Sequence, residues 1–157
     1  MYDFLDRPVT SLDHGGRFLV WSTRSWVGAL SERKCPAGAI AAGFEQWNML
    51  KGLQPFLRMM ALFNRHGLEN FQFCALQCNH VSEHEAIIIS LVCALRDEAS
   101  CVALRQTLDL LVEAEAVGDV ILSLADLGNA MAAAGIHPVR PIPDHSPRAN
   151  GTKASGA

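Results

Sequence analysis

Ser82-Glu-His-Glu85-Ala-Ile-Ile-Ile-Ser-Leu-Val-Cys-Ala-Leu-Arg96 is the stretch that decides the fold. Ser82 can cap the amides of the next turn while Glu85 reaches back to the Ser82 amide, the capping-box pattern of a helix start. Glu83 and Glu85 also suit the positive end of a helix. The apolar residues that follow, Ile87, Ile88, Ile89, Leu91, Val92 and Leu95, wrap most of a helical circumference. A helix that is apolar all round must be covered on several sides, so this one is expected at the centre of a helical domain.

Downstream, Ser100 can cap a helix with Cys101, Leu104, Leu108, Leu111 and Val112 on one stripe, ended by Gly118. Asp119 is then expected to cap a last helix with the stripe Val120, Leu124, Leu127 and Met131. Gly135, Ile136 and Pro138 form a Schellman-type stop. Upstream, Leu53, Phe56, Leu57 and Met60 mark a helix over about 54–65, with Pro55 at its start and Gly67 as its cap. Pro36 opens another helix at the position that best tolerates proline. It carries Ile40, Phe44 and Trp47. A first helix over 17–31 buries Leu19, Val20, Trp26, Val27 and Leu30, and sets Arg17, Arg24 and Ser31 on the opposite face. Phe71-Gln-Phe73-Cys-Ala75 is either briefly extended or part of a further helix. A lone strand would have no partner, so no sheet is expected.

These elements read as one all-α domain, a bundle of about six helices over residues 16–137. Residues 1–15 are expected as a loose leader and 138–157 as a disordered, proline-rich tail, since four of the seven prolines fall there. Within the tail, Pro138-Val-Arg-Pro141 has the spacing of a polyproline ligand.

Leu and Ala dominate the apolar half of the chain, and only 7% of residues are aromatic, a helix-rich composition. A net charge of −3 argues against nucleic acid, which would want a clustered basic face. The longest apolar stretch, Ala86 to Leu95, is about half the ~20 residues of a membrane span, so no membrane partner is expected. Seven Lys/Arg face three Asp/Glu in residues 16–70, against two and nine in 71–137. Two solvated faces are the favoured explanation. Complementarity between the halves, or self-association, is the alternative. With no secretory signal at the start and five cysteines, an odd count, the thiols are expected to be reduced and the protein cytoplasmic.

The chemistry gathers at Cys74, Cys78, His80 and His84, within eleven residues. Thiolates and imidazoles are zinc ligands, so a metal site is one reading of the cluster, with zinc as its ion. Packing cysteines and ordinary surface histidines are the preferred reading. Cys35, beside Arg33, Lys34 and a helix start, is the candidate reactive thiol, because cations and a helix N-terminus favour thiolate. Cys93 and Cys101 fit apolar stripes and are expected in the core. Trp21, sitting off its helix's main stripe, is the tryptophan most expected outside the core. No catalytic residues and no phosphate-binding loop can be assembled, and without zinc no cofactor is implied. The sequence therefore points to an interaction or regulatory module with a protein partner. The alternative is a metal-binding or thiol-redox-responsive protein using the Cys/His cluster.

Overall fold

The computed structural model describes residues 2–96 and 100–141. Six α-helices occupy these residues: α1 (His14–Ser31), α2 (Pro36–Gln46), α3 (Leu50–His66), α4 (Glu83–Ala94), α5 (Cys101–Leu111) and α6 (Val117–Ala133). Two 3₁₀ turns, Tyr2–Phe4 and Val9–Ser11, precede them. The described residues contain no named strand, only two isolated bridges, Pro8 with His80 and Gly67 with Val112. No described helix is long and apolar enough to cross a membrane.

Helix α4 is the central element its sequence implies. Every residue from Glu85 to Ala94 is buried, and the helix contacts α1, α5, α6 and the first 3₁₀ turn. Its capping box is formed, and Glu85 Oε2 accepts from the Ser82 amide at 2.8 Å. The most extensive helix pair is α3 with α6. Gly52 lets them approach closely, because a Cβ there would meet Ala130 at 3.2 Å. On the other side, α2 lies against α1. Phe44 bridges Phe18 and Phe56 at ring separations of 4.8 and 5.4 Å. Trp21 lies over Gly43, where a Cβ would fall 2.1 Å from the indole. Trp26 is buried, Trp21 half-buried and Trp47 exposed.

Several boundaries differ from expectation, each for a tertiary reason. Helix α3 begins before Pro55, which lies inside it. Met49 and Gly52, both buried, anchor the extra turn against α2 and α6. Helix α5 ends at Leu111 rather than Gly118, and Gly118 sits in the first turn of α6. Asp119 therefore does not cap α6. Its carboxylate takes a hydrogen bond from Arg58 Nη2 at 2.8 Å, tying α6 to α3. The C-terminal stop of α6 is as expected. Gly135 has φ +73°, Ile136 N donates to Met131 O at 2.9 Å, and Gly135 N donates to Ala132 O at 3.1 Å, the paired bonds of a Schellman motif.

Both ends of the described chain are packed. Residues 2–12, expected as a loose leader, bury Phe4 and Leu12 in the core. They also pair with the segment before α4: Asp6 N donates to Val81 O, Val81 N to Arg7 O and Val9 N to Asn79 O. At the other end Pro138, expected in the tail, is buried, and its carbonyl accepts from the Cys93 thiol at 3.3 Å. Asp13 joins the two ends. Its Oδ1 caps α1 by accepting from Gly16 N at 2.7 Å, and its Oδ2 accepts from Val139 N at 2.7 Å. The polyproline spacing thus begins on a residue already committed to the core, while the expected tail over 142–157 lies outside the described residues.

The close approach of residues 136–138 to α1 depends on Gly15. A Cβ there would stand 1.9 Å from Ile136 O, a backbone atom with no side-chain freedom to yield. Gly28, exposed in the interior of the same helix, has nothing within 4 Å of the equivalent point. Gly15→Ala is expected to destabilise by about 1–3 kcal/mol or more through forced backbone displacement. Gly28→Ala should stabilise by about 0.5–1 kcal/mol through helix propensity. Denaturant midpoints measure both, and the same sign for the two variants would contradict this packing.

Candidate functional site

Arg24, which the sequence places on the solvent face of α1, is buried. So is Glu85, its partner on α4. Their side chains are 2% and 0% exposed. The pair is bidentate: Nε donates to Glu85 Oε1 at 2.6 Å and Nη2 to Glu85 Oε2 at 2.9 Å. The remaining donors go to one loop, residues 71–82 between α3 and α4. Nη1 donates to Ala75 O at 3.0 Å and Cys78 O at 2.5 Å, and Nη2 to His80 O at 2.7 Å. A guanidinium has five N–H groups, and all five are used. The hydrogen bond to Glu85 holds Arg24 above its ordinary pKa against the opposing effect of burial. Arg24 is therefore a permanent cation whose acceptors are one carboxylate and three loop carbonyls.

The contact also bears on the uneven charge distribution. Arg24–Glu85 and Arg58–Asp119 both run from the basic first half to the acidic second half. Part of the imbalance is internal complementarity rather than two solvated faces.

The loop carries Cys74, Cys78 and His80 of the Cys/His cluster, His84 lies in the first turn of α4, and the structure divides the four. Cys74 and Cys78, both half-buried, stand at the two ends of a turn closed by Cys78 N donating to Ala75 O at 3.0 Å, and the Cys78 thiol donates to His80 O at 3.9 Å. Desolvation first, and then the neighbouring Cys78, push the Cys74 thiol above its ordinary pKa. His80 is exposed, and its backbone is engaged with Arg24 and Pro8. His84 turns away. It packs on Phe71 at a ring separation of 4.7 Å, its Nδ1 accepts from Gln72 N at 3.1 Å, and its Nε2 lies 3.3 Å from Glu69 Oε1. No three of the four residues bring their ligand atoms within 4.8 Å of one another. For His84 to take a zinc ion here, it would have to leave both Gln72 and Glu69.

The other thiols lie apart. None of the five cysteines is in a disulfide. Cys35 is exposed at the N-cap of α2, and the neighbouring Lys34 ammonium is paired with Glu32 at 2.6 Å. Cys93 is in the core, as its stripe implies, and burial pushes its pKa up to about 12. Cys101, expected in the core, is exposed in the first turn of α5, where Leu104, Leu108 and Leu111 alone form the buried stripe.

Beside the clamp, α1 and the loop enclose a groove of about 600 Å³ lined by Val27, Gly28, Ala39, Phe73, Cys74 and Leu76 among others. Leu76 stands 56% exposed at its edge. Comparison with protein-family models, with curated proteins and with solved structures finds no match to this chain.

One signal in the sequence could have found Arg24, although the stripe as a whole sets it on the opposite face. It is four residues after Val20 and three before Val27, which puts it on a helical face with two apolar residues. Nothing in the sequence singled out Glu85 as its partner, because the capping box already explained that residue. A buried guanidinium stripped of its carboxylate is costly. Glu85→Gln is expected to lose about 3–5 kcal/mol of stability. The double variant Arg24→Met/Glu85→Leu should lose clearly less than the sum of its single variants, with a coupling of about 2 kcal/mol or more. Urea unfolding of the four proteins measures this, and additive effects would contradict a coupled pair.

Proposed function

We propose that this protein is a non-catalytic regulatory module whose responsive element is the loop 71–82, with Cys74 and Cys78 as its trigger. One observation carries the reading: Cys74 and Cys78 flank a turn whose carbonyls are held by a buried arginine. Any change in the covalent state of the thiols must act on that turn. In a reducing cytoplasm the pair rests as dithiol.

The chemistry is thiol–disulfide exchange with a low-molecular-weight disulfide. One loop thiolate attacks a sulfur of that disulfide, giving a mixed disulfide and releasing one thiol. The second loop thiolate then displaces the remaining thiol and closes a Cys74–Cys78 bond. Two protein thiols are oxidised and one external disulfide is reduced to two thiols. Closing so small a ring reorients the Ala75 and Cys78 carbonyls against Arg24. The effect passes to His80 and Val81, and through Val81 to Asp6 and Arg7. Leu76, exposed on the same turn, is the side chain a protein partner would meet first.

The raised pKa of Cys74 sets the pH dependence. Thiolate is the nucleophile, so the rate of ring closure should climb with pH through the alkaline range and be slow at neutrality. Incubation of the full chain with oxidised glutathione, followed by mass spectrometry of the intact protein and of its 74–78 peptide, tests the reading. The expected product is a two-hydrogen mass loss located between Cys74 and Cys78 and absent from Cys74→Ser. Glutathione adducts confined to the exposed Cys35 and Cys101, with Cys74 and Cys78 still thiols at alkaline pH, would contradict it.

A further inference from the structure

We propose that His66, Glu113 and Glu115 form a surface site for one divalent transition-metal ion, separate from the thiol loop. His66 is the last residue of α3, and the two glutamates lie in the turn between α5 and α6. His66 Nδ1 stands 2.8 Å from Glu113 Oε2 and 3.7 Å from Glu115 Oε1. All three ligand atoms fall within 4.8 Å of one another. Two ligands of one ion, each about 2.0–2.2 Å from the metal, span a comparable distance. Small side-chain rotations, with no backbone movement, would let all three share an ion.

The backbone supports this arrangement. Gly67 and Val112 form an isolated antiparallel bridge. Leu68 N donates to Leu111 O at 2.9 Å and Glu113 N to His66 O at 2.9 Å, so His66 and Glu113 are held side by side. Ala116 N then donates to Glu113 O at 2.9 Å, closing the turn that presents Glu115. The C-terminal ends of α3 and α5 meet at this bridge, and both helix dipoles favour a cation there. One imidazolium would balance only one of the two carboxylates. A divalent ion balances both and leaves the imidazole neutral, as metal ligation requires. One imidazole nitrogen and two carboxylate oxygens suit manganese or zinc, with water completing the shell on the exposed side.

Mn²⁺ is the discriminating probe, because carboxylate and water suit it whereas thiolates select softer metals. The metal-free full chain is titrated with Mn²⁺ while electron paramagnetic resonance follows the free ion. We expect one saturable equivalent, displaced by one equivalent of Zn²⁺. His66→Gln and Glu115→Gln should each weaken Mn²⁺ binding at least tenfold, while Cys74→Ser/Cys78→Ser leaves it unchanged. Glu115 is 77% exposed, so its variant tests ligation without disturbing the core, and circular dichroism verifies that both single variants fold. Three results would overturn the site: no saturable binding, several weak equivalents indifferent to Glu115→Gln, or binding that disappears in the cysteine variant.

Discussion

A buried guanidinium must satisfy five N–H groups without water, and here that requirement joins four parts of the chain. Arg24 on α1 reaches Glu85 on α4 and three carbonyls of the intervening loop. Glu85 in turn holds the Ser82 amide that starts α4. The same loop pairs through Asn79 and Val81 with residues 6–9. Desolvating such an ion pair is expensive, and apolar residues of equal volume often give equal or greater stability. What the pair provides is direction. A fork of five donors accepts few arrangements of its acceptors, so a loop with no regular secondary structure adopts one path. The described buried side chains agree with this: none of their nitrogen or oxygen atoms lacks a hydrogen-bond partner.

Features written within a few residues were legible in the sequence. The capping box at Ser82, the proline that opens α2, the all-round apolar character of α4 and the glycine stop at Gly135 each depend on neighbours in the chain. Features decided by distant partners were not. Arg24 reads as solvent-facing because arginine is seldom buried alone, and its partner is 61 residues away. Asp119 has the residue type of a cap, but Arg58 is within reach and takes it. Pro55 reads as a helix start, yet Met49 and Gly52 find enough packing against α2 and α6 to extend α3 past it. Residues 2–12 read as a leader because they hold no helix-length apolar stripe, and the backbone pairs that fix them are invisible to side-chain pattern.

The Cys/His cluster shows why closeness in sequence is a weak guide to closeness of side chains. Cys74 and Cys78 share a turn, whereas His84 lies past the helix boundary and is claimed by Phe71, Gln72 and Glu69. The converse holds for His66, Glu113 and Glu115. Nearly fifty residues separate the histidine from the glutamates, and a single backbone bridge brings them together. Loop thiols and surface carboxylates are thus placed by different contacts. The first set is governed by the arginine clamp, the second by the junction of two helix ends.

If the clamp governs the loop, its effect must be local and must depend on the fork rather than on charge alone. Lysine keeps the charge at position 24 but offers three donors in place of five. The direct measurement is amide hydrogen exchange on Arg24→Lys beside the parent protein. The account predicts that the Cys78, Val81 and Ser82 amides, together with Asp6 and Val9, exchange at least tenfold faster in the variant. Amides in the middle of α3 and α6 should keep their protection. Unchanged protection at Cys78, Val81 and Ser82 in a folded Arg24→Lys protein would contradict the claim that this one side chain sets the path of the loop.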